Sequence, residues 1–221
     1  MLEKYDVYLR PFNCQRTLHI YLPNDYYQSD ERYPVVYMFD GHNLFLDSDA
    51  TYGKSWGLAD FLDHYDKKLI IVGIECNHEG NERLSGYCPY NLNSRYFGTY
   101  PFRECTAIAG SSMGGLMAFY GVIKCNQYIS KAACLSPAFG LCKKRLERDL
   151  PQNLNPDTRI YMSLGTEEFK RPQRFIKNIQ EFNDYIVSQG ATSYINIIPG
   201  GHHNEAEWEK QNELYMNVMW K

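Results

Sequence analysis

"AIAGSSMGGLMAFYG", residues 107–121, gathers four glycines and two serines around its first methionine, between a short apolar run and an apolar stretch of helical period. Ser112 has glycine two residues away on both sides, Gly110 and Gly114, whereas Ser111 does not. The spacing is G-x-S-x-G, in the context that pattern requires: strand "TAIAG", then Ser112, then helix "LMAFYGVI". A serine at a sharp strand-to-helix turn has strained backbone angles, and small residues around it let strand and helix approach without a Cβ clash. The turn exposes Oγ, and the helix behind it aims free N–H groups and its positive end at any oxyanion forming above the serine.

Outward from this turn, strand-like runs alternate with helical ones. "VYLRPF" and "RTLHIYLP" suit an antiparallel ribbon, and "YPVVYMFDG", "KLIIVGIE", "CTAIAG", "ISKAACLSP", "RIYMSLG" and "SYINIIPG" follow. Several are continuously apolar, as strands covered on both faces are. Between them, Phe175, Ile179, Phe182 and Ile186 recur at helical spacing within residues 172–189, with Pro172 suited to the first turn and Gly190 to the C-terminal cap. Residues 204–220 read as a closing helix. With no repeat, low-complexity tract or linker, the pattern is α/β, one domain over residues 1–221, with a mostly parallel central sheet flanked by helices.

Composition narrows the function. The 221 residues are 44% hydrophobic, enough for a sizeable core, and carry a net charge of −3 with no basic block to meet phosphates. Nucleic acid is therefore excluded as a partner. No window reaches the ~18 unbroken apolar residues of a membrane helix, and "MLEKYDVYLRPF" has no apolar h-region behind a basic start. Seven cysteines, an odd number without a CxxC pair, read as reduced thiols, so a cytoplasmic protein is expected. "YGKS" at 52–55 lacks the earlier glycine of a phosphate loop, Ser48 standing in its place. The adjacent His202 and His203 have no HExxH and no third ligand at metal spacing, so neither a metal nor a cofactor is expected.

A nucleophilic serine needs a base, and at this kind of turn the chain order is Ser, then Asp or Glu, then His. Of six histidines only His202 and His203 follow Ser112, in "IIPGGHHNEAEW" after the last predicted strand. "RIYMSLGTEE" offers Glu167 or Glu168 after the strand before it. A carboxylate buried against the imidazole would fix its tautomer and stabilise the imidazolium. The residues alone leave both pairs open.

At this point the chain resembles a known family. "YPVVYMFDGHNLF", "NERLSGYCPY", "IAGSSMGGLMAFY", "YMSLGTEE" and "GGHHNEAEW" are similar to the "putative esterase" branch of the α/β-hydrolases, with its enterochelin-esterase-like, S-formylglutathione-hydrolase-like and feruloyl-esterase-like enzymes. The resemblance runs from about residue 16 to the end. It implies the α/β-hydrolase fold, Glu168 as the acid and His203 as the base. It also implies an oxyanion hole made by the backbone N–H of His42, beside Gly41, and that of Met113. Trp56, which follows the oxyanion loop, is a candidate wall of an acyl pocket together with Gly41, and as a large aromatic it is equally a candidate for the core. The expected activity is hydrolysis of a small-molecule carboxylic ester. Acyl transfer to an alcohol would use the same residues, and a catalytically inactive esterase-like binding module is the reading from another class.

The chain departs from the family at one place. Members carry an amphipathic crossover helix between the "NERLSGYCPYNLNSRYFG" stretch and the strand "TYPFRECTAIAG", and here Gly98 runs straight into Thr99. A dozen or so residues can make a parallel crossover, but without its helix one sheet face beside the nucleophile strand is expected bare. Either a segment after Gly98 is missing or another chain, as in a homo-oligomer, covers that face.

Overall fold

In the computed structural model, which describes residues 1–10, 14–78 and 103–221, eight strands form one sheet in the order β1-β2-β4-β3-β5-β6-β7-β8. β1 (Leu2–Leu9) and β2 (Cys14–Tyr21) are the expected antiparallel ribbon, and β2 joins β4 antiparallel. From there β4 (Ile70–Ile74), β3 (Val35–Phe39), β5 (Thr106–Ser111), β6 (Lys131–Leu135), β7 (Arg159–Gly165) and β8 (Thr192–Ile198) run parallel, so their C-terminal ends share one edge. The expectation of a mostly parallel sheet flanked by helices holds.

Alternation along the central strands builds two cores. Ile108, Ala132, Cys134, Ile160, Met162 and Leu164 face one way, under α2 (Met113–Lys124) and α4 (Pro172–Ser188). Ala107, Ala109, Ala133, Leu135 and Tyr161 face the other way, under α1 (Leu58–His64) and α6 (Asn212–Trp220). A short α3 (Lys143–Arg148) follows β6. The alanines and Cys134 let the helices sit close, since a small side chain keeps the facing layers at contact distance. In α4, Ile179, Phe182 and Ile186 are buried, as their spacing requires, whereas Phe175 is only partly buried at the rim of that core.

The closing helix differs from its sequence expectation. It is two helices, α5 (Glu205–Glu209) and α6, broken at Lys210 and Gln211. The break turns two amides inward: Gln211 Oε1 accepts from Tyr161 Oη–H (2.8 Å) and Asn212 Nδ2 donates to the Trp56 carbonyl (2.7 Å). Buried amides demand partners, and meeting them outweighs an unbroken helical ladder here.

The crossover expected to lack its helix, with Gly98 and Thr99, lies outside the described residues. On the described part, Tyr37, Ile70, Val72 and Ile74 of β3 and β4 are partly buried, while Val36, Met38 and Ile71 on the opposite face are fully buried. Among the described residues no helix is long and apolar enough to cross a membrane.

Candidate active site

Among the described residues three other than glycine have positive φ: Asp40 (58°), Ser112 (55°) and Ser136 (47°). Each is the first residue beyond a strand, β3, β5 and β6, and these three strands are neighbours in the sheet. Such backbone costs about 1–3 kcal/mol per residue and persists only where the surroundings impose it. Here the strain is concentrated on one short stretch of the sheet's C-terminal edge.

Ser112 (ψ −117°) is held from both sides. Its N–H donates to the Leu135 carbonyl (2.9 Å), and its own carbonyl accepts from Ala138 (3.0 Å) and Leu116 (3.1 Å). The glycines of the motif make the turn possible, because a Cβ on Gly110 would stand 2.5 Å from the Gly114 carbonyl carbon. Ser111 is buried at the end of β5, in register with Leu135, whereas Ser112 is partly exposed at the apex. Met113 opens α2, so its N–H belongs to a helix turn that lacks intrahelical acceptors.

The loops after β7 and β8 bring the sequence's two candidate pairs together, one with its carboxylate buried and one wholly in solvent. The Glu168 side chain is 1% exposed and its Oε2 lies 2.7 Å from His203 Nδ1. Its Oε1 accepts from Ser136 Oγ–H and from the Gly165 N–H, both at 2.6 Å. A carboxylate with those two donors can only accept, so the His203 proton sits on Nδ1 and leaves the Nε2 lone pair available. His202 and Glu167, 3.5 Å apart, are 56% and 61% exposed, and a pair like that contributes little. The His203 side chain is 32% exposed, edge-on to Trp208 at 5.1 Å.

Two loops are stitched backbone to backbone beneath this pair. Glu167 N–H donates to the Gly201 carbonyl (3.0 Å) and Thr166 N–H to Ile198 (3.0 Å). A Cβ on Gly165 would lie 2.2 Å from the Gly201 oxygen, and backbone cannot retreat as a side chain can. Gly165→Ala is therefore expected to cost about 3 kcal/mol or more of stability, read as a fall in the denaturation midpoint.

Ser112 is brought to the same edge, two strands from Glu168. Among the described residues its hydroxyl has no hydrogen-bond partner, so serine and histidine are not in hydrogen-bond contact in this state. Catalytic hydrogen bonds often close only when substrate is bound. His42 lies in the turn after β3, its ring buried, with Gly41 buried backbone against backbone on Gly73. Burial holds the His42 imidazole below its usual pKa, favouring the neutral ring.

Trp56 takes the core position of the two the sequence left open: it is 2% exposed and packed against Trp208 and Tyr215. One residue escaped the sequence reading. Ser136 accepts from Trp208 Nε1–H (3.0 Å) and donates to Glu168, linking the β6 turn to the acid. Its only sequence signal is a serine directly after a strand, in "CLSPAFG". Ser136→Ala strands a buried indole N–H and removes one bond to a charged acceptor, so a loss of about 2 kcal/mol in stability is expected by denaturant titration.

Comparison with known proteins agrees with this architecture. The family model described as "Putative esterase" matches residues 10–212, and the chain belongs to that family. Its α/β-hydrolase-like fold is shared by solved structures described as esterases and serine hydrolases. Over 89% of its length, and 89% of the relative's, it is 23% identical to the uncharacterized protein YbbA of Bacillus subtilis (strain 168). S-formylglutathione hydrolase FrmB of Staphylococcus aureus shares the fold at a TM-score of 0.68 and 15% identity, over 99% of this chain and 96% of that one. Enterochelin esterase of Shigella flexneri does so at 0.74 and 14%, over all of this chain and 58% of that one.

Proposed function

We propose that the protein hydrolyses a small-molecule carboxylic ester through a Ser112–His203–Glu168 triad. The observation that carries this is the Glu168 carboxylate, itself buried, 2.7 Å from His203 Nδ1 on the same sheet edge as a serine at φ 55°. Ser112 Oγ attacks the ester carbonyl carbon while His203 Nε2 takes its proton. The carbonyl π pair moves onto oxygen, where the backbone N–H groups of Met113 and His42 hold the charge. Collapse expels the alcohol, protonated by His203, and leaves the acyl group on Ser112. Water, deprotonated by His203, then releases the acid and restores the serine. Glu168 keeps the ring in the Nδ1–H tautomer throughout, and Ser136 and the Gly165 N–H keep Glu168 in place.

The names of the similar structures, an enterochelin esterase and an S-formylglutathione hydrolase, favour a small-molecule ester as substrate. The cysteine usage favours a reducing, cytoplasmic setting. A fluorophosphonate probe should label the wild-type chain at Ser112, and a panel of nitrophenyl and feruloyl esters should give a burst of alcohol followed by slower turnover. A folded chain that neither takes the probe nor turns over any ester would be the inactive binding module instead. Product formed only when an alcohol acceptor is added would mark a transferase.

A further inference from the structure

The turns after β3 and β4 bring together three side chains for which the ester chemistry has no use: the imidazoles of His42 and His78 and the thiol of Cys76. One ligand atom from each lies within 4.8 Å of the others. The two rings meet edge to face with centroids 4.5 Å apart. Cys76 is buried, His42 is 5% exposed, and His78 is exposed at the mouth of the cluster.

The hydrogen bonding around the rings is one-sided. His42 is held through Nε2 by Thr51 Oγ1 (2.9 Å), and His78 through Nε2 by Glu75 Oε1 (2.7 Å). Glu75 is itself anchored, its other oxygen taking His19 Nε2 at 2.8 Å. His42 Nδ1, by contrast, is buried with no hydrogen-bond partner among the described residues. A buried nitrogen left without a partner is rare in folded proteins and calls for an explanation. Metal-binding histidines characteristically have one ring nitrogen fixed by a hydroxyl or carboxylate and the other free for the ion.

We propose that His42 Nδ1, Cys76 Sγ and His78 Nδ1 form a site for a zinc-class divalent transition cation, with water in the fourth position. Two imidazoles and a thiolate suit zinc or cobalt and do not suit magnesium or calcium, which require oxygen ligands. Tetrahedral zinc needs ligand atoms about 3.5 Å apart, so a closure of about 1 Å from the outer limit suffices. The thiol loses its proton as the ion binds. Glu75, between His19 and His78, supplies compensating negative charge just outside the ligands. The ion would also brace the Gly41–Asn43 turn, whose backbone is assigned to the oxyanion hole above, but its binding does not depend on that assignment.

Cobalt(II) titrated into the chelator-treated full chain tests this directly. One equivalent should produce a thiolate-to-cobalt charge-transfer band and tetrahedral d–d absorption, both erased by zinc. Cys76→Ser should abolish the charge-transfer band. His78→Ala, at an exposed position, should weaken cobalt binding at least tenfold with its metal-free melting temperature unchanged. His202→Ala, which removes an exposed histidine paired with Glu167 on a different loop, should leave the spectrum intact. Absence of the band in wild-type protein, its survival in Cys76→Ser, or its loss in His202→Ala would overturn the site. Fluorophosphonate labelling of Ser112 reads the esterase assignment separately, so the two can fail independently.

Discussion

Ser112→Ala is expected to lower ester turnover by about four to six orders of magnitude, to the residual rate that an oxyanion hole and binding alone sustain. Ser111→Ala should remain within about tenfold of wild type. The two hydroxyls are adjacent in sequence but differ in what the backbone does with them. Ser111 is the last residue of β5, buried and in register with Leu135, and its side chain has no route to a substrate above the sheet edge. Ser112 occupies φ 55° and ψ −117° at the apex, with its N–H and carbonyl tied to Leu135, Leu116 and Ala138. The same geometry predicts a second outcome from one further variant. Ser112→Gly should be inactive yet about 1 kcal/mol more stable, because glycine adopts that backbone without strain. Steady-state hydrolysis, probe labelling and denaturant titration on the three variants check the assignment. Loss of activity in Ser111→Ala with retention in Ser112→Ala would overturn it.

Glu168→Gln should lower kcat by about 10³–10⁴-fold, the scale seen when a triad acid becomes an amide, while Glu167→Gln changes little. The size follows from how the carboxylate is used. Oε1 already accepts two donors, Ser136 Oγ–H and the Gly165 N–H, so the oxygen of a glutamine must take that side. Its NH₂ then faces His203 Nδ1 and donates to it. The ring is forced into the Nε2–H tautomer, with a proton pointing at the serine where a lone pair is needed. Glu167 is exposed beside His202 and touches none of this. Comparable mild losses from both glutamine variants would point to a different acid.

The alternation that separates Ile108, Ala132, Cys134 and Ile160 from Ala107, Ala109, Ala133 and Leu135 is visible in the chain because strand faces repeat every two residues. The Ser112 turn is visible because its glycines lie within two residues of it. These are local constraints, and a linear sequence carries local constraints directly. The closing helix was harder, because its break depends on Tyr161 and Trp56, residues about 50 and 156 positions away from their amide partners.

By itself the sequence determined the α/β class, the serine at the turn after β5, and the order in which an acid and a base must follow. Only the tertiary structure separated Glu168 and His203 physically from Glu167 and His202, burying the Glu168 carboxylate against Ser136 with His203 edge-on to Trp208, and leaving the other pair in water. It also chose the core position for Trp56, joined Ser136 to Glu168, and set His78 and Cys76 beside His42. In each case the deciding quantity is burial or a contact between loops at the ends of different strands. Those contacts are fixed by the parallel register and the crossovers between strands, and no spacing along the chain encodes them.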